Sequence, residues 1–290
     1  MALKRKKKTK HDKVDRIIVT ENSLSSKVEG YNRLKDNILY LSADGNNRVL
    51  QIESAVSHEG KTTVAANLAV SLGLTDKKVV VVDLDFRKPR VQQRFKVSID
   101  NGIAEYILGV SELKDIIKPT RYKNVSVITR GAKIYNASLV FVAEKFKEMI
   151  NTLRNEYDFV ILDCAPVLQV SDFIHISQIS DGVIFLVAYA VTTRNQVTEA
   201  VKELRKNGAN ILGTVFSMYD PKKDKSYGYG KYYGKGYNYY SYYKAYIDDD
   251  NTDRLEVDEN YVPPVGVDLP TEENAALATE KAATEEKETK

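Results

Sequence analysis

From about Arg48 to Met218 the chain alternates short apolar runs with longer amphipathic ones. The runs "RVLQIES", "KKVVVVDLD", "VSVIT", "DFVILD", "GVIFLVAY" and "ILGTVF" are rich in Val and Ile and are continuously apolar rather than alternating. This pattern predicts strands covered on both faces. Between them, "TTVAANLAVSLGL", "LVFVAEKFKEMINTLRNE" and "RNQVTEAVKELRKNG" read as helices, the last stopped by Asn207-Gly208. Strand–helix alternation of this kind predicts an α/β fold, a parallel sheet with helices on both faces. Ahead of it, "SLSSKVEGYNRLKDNILYLS" has the spacing of one amphipathic helix, and beyond Tyr219 periodicity stops. The expected organisation is a basic N-terminal tail (1–24), an amphipathic helix packing on the core (25–45), a nucleotide-binding domain (46–220), a Tyr/Gly-rich segment (221–246) and an acidic disordered tail (247–290).

Charge changes the picture only at the ends. Net charge is +3, but "MALKRKKKTKHDK" holds seven Lys/Arg against one Asp, and the chain from Ile247 onward holds fourteen acids against four bases. Such runs read as solvated tails. The basic start also suits weak attraction to an anionic membrane surface, worth ~1 kcal/mol per residue. A lone cysteine, Cys164, excludes an internal disulfide and fits a reducing compartment. The longest apolar run, "GVIFLVAYAV", is too short to span a bilayer, and no apolar segment follows the basic start to make a signal peptide. The expected location is therefore cytoplasmic, with any membrane association peripheral.

Candidate chemistry begins directly after the first strand. "AVSHEGKTT", Ala55 to Thr63, has the form of a phosphate-binding loop with Ala55 in place of the first glycine. Gly60 lets the backbone approach a phosphate, and the amides of Ser57, His58, Glu59, Gly60, Lys61, Thr62 and Thr63 can cradle it. Lys61 reaches the β- and γ-phosphates, Thr62 offers its hydroxyl to Mg²⁺, and the following helix points its positive end at the anion. ATP and Mg²⁺ are the implied ligands.

Two further strands deliver carboxylates. In "VVVVDLDFRKPR", Asp83 and Asp85 emerge at a strand's C-terminal end, where open sheets of this type bind ligands. "FVILDCAP" puts Asp163 in the same position on another strand, the usual place for an acid that supports Mg²⁺. Any one of these acids could be a helix cap or a turn former. All three beside a phosphate loop point to a coordinated hard cation.

In its "EGKTT", "VVVVDLDFRKPR" and "FVILDCAP" elements, followed by a C-terminal tyrosine cluster, the chain resembles the bacterial tyrosine kinases of capsule and exopolysaccharide synthesis. The resemblance covers roughly residues 25–246. It implies that Lys61 and Thr62 hold the triphosphate and metal, and that Asp83 and Asp85 lie near the metal and the incoming phenol, with Asp83 as candidate general base. It further implies that Asp85 and Asp163 take part in holding Mg²⁺, Asp163 through water, and that Arg87 meets the phosphate or a neighbouring subunit.

"YGYGKYYGKGYNYYSYYKAY" holds ten of the nineteen tyrosines: Tyr227, Tyr229, Tyr232, Tyr233, Tyr237, Tyr239, Tyr240, Tyr242, Tyr243 and Tyr246. The resemblance makes them substrates of a neighbouring copy. It also implies a membrane adaptor of the polysaccharide co-polymerase type as activator, self-association into a homo-oligomer such as a ring, and further protein substrates. The family's Glu-x-x-Arg-x-x-Arg oligomer motif falls on Glu29, Asn32 and Lys35, so both arginines are replaced, while Glu29 and Arg33 have the spacing of a simple helix ion pair. Ser57-His58 stands where Pro-Gly is often found, and Ser217 where relatives of the fold often carry a base-contacting asparagine.

Two other functions share parts of this pattern. A ParA- or MinD-like positioning ATPase has the same sheet, but carries a signature lysine near the loop's start that "SAVSHEG" lacks, and has no use for a tyrosine cluster. A nucleotide-gated adaptor could use that cluster as a sticky patch. Interleaved Tyr, Lys and Gly could also stack on single-stranded nucleic acid. No folded RNA-binding motif accompanies them, and nucleic acid is not an expected partner.

Overall fold

The computed structural model describes residues 17–20 and 26–219; the first sixteen residues, the tyrosine cluster and the acidic tail lie outside the described residues. Seven strands form one sheet: β1 (Val49–Ser54), β2 (Val79–Asp83), β3 (Ile117–Pro119), β4 (Val125–Ile128), β5 (Phe159–Asp163), β6 (Gly182–Ala188) and β7 (Ile211–Ser217). Their order is β3-β4-β2-β5-β1-β6-β7. All neighbours are parallel except β3, which runs antiparallel to β4 at the edge.

The Val-rich runs are explained by two-sided burial. In β2, Val79 and Val81 enter the core on one face while Val80 and Val82 enter the core on the other, and β5 repeats this with Phe159 and Ile161 against Val160 and Leu162. The first face is covered by α1 (Ser26–Leu41), α2 (Lys61–Gly73) and α3 (Val91–Phe95); the second by α4 (Ile103–Ile107), α5 (Leu113–Ile116), α6 (Ser138–Val142) and α7 (Glu144–Glu156). A third apolar cluster joins β6 to α8 (Asp172–Ser177) and α9 (Arg194–Lys206). The expected α/β architecture is therefore observed. The antiparallel β3 and the short helices α3–α5 and α8 are additions, too brief to carry a readable period.

The long helix expected from Leu139 to Glu156 is two helices, broken at Ala143, whose backbone is extended (φ −65°, ψ 134°). Phe141 and Phe146 supply a reason. Five residues apart on one helix they would point about 140° away from each other. The break lets both bury fully, with their rings edge to face at 5.4 Å. α9 behaves as its sequence suggests: Thr193 and Gln196 form a capping box, and Gly208 takes φ +77° just past the C-terminus.

The expected N-terminal tail is not uniform. Ile17 and Val19 are buried, and the backbone N–H groups of Ile18 and Val19 donate to Asn67 Oδ1 on α2 at 2.8 and 3.2 Å. A buried asparagine thereby fixes this stretch beside α1. α1 packs on α2 through Val28 and Ile38, with Glu29 paired to Arg33 at 3.4 Å and to Asn32 at 3.5 Å. Asn32 also accepts from Ser71 on α2 at 3.5 Å, and Lys35 pairs with Asp36 at 3.2 Å. Glu29 is thus used within its own helix, as its i, i+4 spacing indicates.

Candidate active site

The sheet order puts β1 between two different neighbourhoods: β5 and β2 on one side, β6 and β7 on the other. The loop that leaves β1, residues 55–60, lies at the C-terminal edge between them. His58 (φ +69°) and Gly60 (φ +93°) both adopt left-handed backbone, and Gly60 opens α2 without any side-chain cap. The first-turn N–H groups of a helix left uncapped in this way are free for an anion. Lys61, only 7% exposed, donates from Nζ to Ser54 Oγ at 3.0 Å, which holds its ammonium at the loop. Ser57 Oγ donates to Gln169 Oε1 at 2.7 Å, and His58 is exposed. Thr62 and Thr63 follow at the helix start, half-buried.

On the β5–β2 side the acids are brought together. Asp163 and Asp83 are register partners on adjacent strands, and both are buried. Neither Asp163 carboxylate oxygen has a hydrogen-bond partner, although the Thr62 hydroxyl lies close enough to favour its anion. Burial first, opposed by Thr62 and Lys61 and reinforced by Asp85, pushes Asp163 up to about 6. Burial and then the Asp163 charge hold the Asp83 carboxyl well above its ordinary range.

Asp83 is held by the backbone that follows β2. Its Oδ2 accepts from the N–H groups of Arg90 and Val91, both at 3.1 Å, and its Oδ1 from Asp85 N at 3.3 Å. It caps the start of α3 from inside the protein, fully buried. The cause is that β2 ends at Asp83: the i, i+2 spacing keeps two side chains on one face only while a strand continues. Asp85 lies in the turn beyond, half-buried, accepting from Lys88 N at 2.9 Å and Arg87 N at 3.3 Å. Among the described residues no three His, Cys, Asp or Glu side chains converge to hold a metal by themselves. A cation here needs the phosphates and the Thr62 hydroxyl as well. The two orphaned oxygens of Asp163, buried beside the loop lysine, fit the Mg²⁺ that such a site uses.

Arg87 and Glu59 have side-chain partners that the sequence did not specify. Arg87 Nη1 is ion-paired with the fully buried Asp172 at the start of α8, whose other oxygen accepts from Ser138 Oγ at 3.1 Å. The Glu59 side chain faces away from the loop's open side. Its Oε2 accepts from Val56 N at 2.6 Å, and its Oε1 accepts from Ala188 N at 3.2 Å and from Thr192 Oγ1. Its carbonyl accepts from Ser217 Oγ at 2.7 Å. Glu59 therefore ties the loop to the ends of β6 and β7, and Ser217 serves this brace.

Sequence reasoning missed Asp172, Ser54 and Thr192 because each acts through a partner far along the chain.

Residues 48–213 match a family model described as an AAA domain. Over 214 residues the chain is 31% identical to the tyrosine-protein kinase YwqD of Bacillus subtilis, covering 73% of this chain and 90% of that protein. Over 226 residues it is 29% identical to the putative tyrosine-protein kinase CapB of Staphylococcus aureus, covering 78% and 98%. It spans only 29% of the tyrosine-protein kinase etk of Escherichia coli, at 30% identity. The solved kinase domain of that Escherichia coli kinase superposes with TM-score 0.66 at 27% identity, over 70% of this chain and 82% of that one. MinD from Pyrococcus horikoshii, complexed with Mg-ADP, gives TM-score 0.51 at 28% identity, over 58% and 69%.

Proposed function

The chain belongs to the bacterial protein-tyrosine kinases, and from that premise we propose that it moves the γ-phosphoryl group of ATP to tyrosine hydroxyls in capsular or exopolysaccharide synthesis. The tyrosines at 227–246 of a neighbouring copy are the first acceptors. The observation that carries this reading is the meeting of Lys61 with an unpaired, buried Asp163 at an uncapped helix start. A phosphate loop explains the first and the last, and a phosphate-bound cation explains the second.

Each residue then has a task. The amides of residues 57–62 and the Lys61 ammonium hold the β- and γ-phosphates, stabilising charge that builds on the transferring group. Thr62 and Asp163 would hold Mg²⁺, which when bound would neutralise charge on the phosphate oxygens. Asp85, the accessible acid, takes the phenolic proton as the tyrosine oxygen bonds to phosphorus and the bond to the β-phosphate oxygen breaks, leaving ADP. The brace through Glu59 keeps the loop amides in place without touching substrate.

Among the described residues no helix is long and apolar enough to cross a membrane. For action at the inner membrane face we propose a membrane partner of the polysaccharide co-polymerase type as activator. A self-assembled ring would bring one copy's tyrosines to the next copy's Asp85.

Mass-spectrometric mapping of phosphosites after incubation with Mg-ATP, with and without the cytoplasmic segment of such a partner, tests the reading. Phosphotyrosine concentrated between residues 227 and 246 is expected. ATP hydrolysis with no phosphotyrosine would instead establish a positioning ATPase, the reading that the MinD likeness favours.

A further inference from the structure

Asp172 stands in the first turn of α8 and is only 1% exposed. A carboxylate at a helix start is favoured by the helix dipole and can sit at the surface without a partner. This one is sealed from solvent, where an ionised group is costly unless it is paired and hydrogen-bonded. Both of its oxygens are used: Oδ2 is ion-paired with Arg87 Nη1, and Oδ1 accepts from Ser138 Oγ at 3.1 Å. The Arg87 side chain is itself 46% exposed, so the pair runs inward from the surface.

The pair ties α8 to the turn that follows β2, and other anchors of that turn lie on either side of it. Before Arg87, Leu84 N donates to the Asp163 carbonyl at 2.9 Å and Phe86 packs edge to face on Phe141 at 5.4 Å. Arg130 Nη1 also donates to the Phe86 carbonyl at 3.2 Å. After it, Gln92 Nε2 donates to the Pro89 carbonyl at 3.1 Å, and the amides of Arg90 and Val91 donate to Asp83. Between these anchors the Arg87 guanidinium is the link to α8.

That middle stretch carries the support of the accessible acid. Asp85 Oδ1 accepts from Arg87 N at 3.3 Å and from Lys88 N at 2.9 Å. The direction of the Asp85 carboxylate follows these two amides, and the amides follow the residue whose side chain Asp172 holds. A guanidinium's planar fork gives such a pair a direction as well as a charge. A general base must stand within hydrogen-bond reach of the proton it takes, so a small rotation of this turn is felt at Asp85.

We propose that Asp172 is a positioning residue for phosphoryl transfer: it anchors Arg87, whose turn aims Asp85 at the incoming phenol, and itself touches neither ATP nor tyrosine. This rests on the reading of Asp85 as the group that takes the phenolic proton. The hydrogen bonds of Asp172 run to Arg87 and Ser138 rather than to the phosphate loop, so its effect falls on transfer and not on ATP binding.

The test is the rate of tyrosine phosphorylation by the full-length protein, read by labelled phosphate incorporation over a range of Mg-ATP concentrations. Asp172→Asn keeps the shape and an acceptor for Ser138 Oγ but removes the charge. It should lower the rate at saturating Mg-ATP by roughly 10–10²-fold, the scale of a small misplacement of a reacting group, with the half-saturating concentration unchanged. In an Asp85→Asn background, itself slow, adding Asp172→Asn should change little, because residues that act through one another are not additive. A merely structural loss would slow both backgrounds alike. Arg87→Lys keeps a cation but loses the fork; it should show a smaller loss with the same dependence on Asp85, and it serves where Asp172→Asn does not fold. A wild-type rate in both variants, a loss that persists in full beside Asp85→Asn, or a loss carried by the half-saturating concentration overturns the inference and leaves the kinase assignment intact. Wild-type transfer by Asp85→Asn overturns the reading of Asp85, and the inference with it.

Discussion

Glu59 and Asp163 are both buried carboxylates beside the same loop, yet one has its oxygens filled and the other has both empty. On the β6–β7 side, Glu59 collects Val56 N, Ala188 N and Thr192 Oγ1, and Ser217 secures its carbonyl. On the β5–β2 side, neither Asp163 oxygen has a hydrogen-bond partner, with the Thr62 hydroxyl nearby and the buried Asp83 on the adjacent strand. Buried polar groups in folded proteins are normally paired, so an unpaired one asks for a ligand. The contrast divides the site into scaffold and chemistry: the paired acid shapes the loop, and the unpaired one is the candidate to hold a cation.

The largest expected effect belongs to the residue between the two sides. Lys61→Met should lower tyrosine phosphorylation by at least roughly 10²–10³-fold, the scale of losing one charge-stabilising donor at a transition state. Thermal melting should move little, and transfer is measured by labelled phosphate incorporation. A rate near wild type would remove the loop from catalysis.

Asp163→Asn should slow transfer while stabilising the apo fold. The sign follows from its raised folded value, about 6 against an ordinary 3.8. The folded state holds the proton more tightly, so stability falls as pH rises between those values. By pH 7.5 the buried ionised form destabilises the apo fold, a cost that the amide avoids. Denaturant melts at pH 7.5 and at pH 4 check this, since the gain should shrink towards the acid end. Addition of Mg-ATP should stabilise the wild type and narrow the gap.

Glu59→Gln should do the reverse. An amide nitrogen replaces one accepting oxygen, leaving a backbone or hydroxyl donor unmatched at a cost of about 1–3 kcal/mol. Apo stability and nucleotide affinity should fall together, both read from thermal melts with and without nucleotide. Should Glu59→Gln and Asp163→Asn shift stability in the same direction, the division into scaffold and chemistry fails.

The smallest effect is expected at His58. Its side chain is exposed, and His58→Ala should alter stability by no more than about 0.5 kcal/mol. Nucleotide affinity should be unchanged by the same fluorescence titration. A large loss would place a histidine–nucleotide contact at the loop.

Sequence by itself determined six of the seven strands, the two-sided burial of β1, β2, β5 and β6 (but not of β7, a half-exposed edge strand), the phosphate loop and the carboxylates at the ends of β2 and β5, because each is written in consecutive residues. Continuous Val and Ile need no distant partner to be read as buried strand, and a loop of the "EGKTT" type needs only the strand before it and the helix after it. Only the tertiary structure decided what each acid does. Asp83 and Asp85 look equivalent two residues apart, until the end of β2 turns one inward to cap α3 and leaves the other accessible. Glu59 looks like a loop residue and is a brace, because its partners at Ala188 and Thr192 arrive from β6 and the turn after it. Arg87 looks free until α8 presents Asp172 to it. The physical reason is common to all three: a hydrogen bond's energy depends on ångström-scale distance and direction, and those are set by which strands become neighbours, not by spacing along the chain.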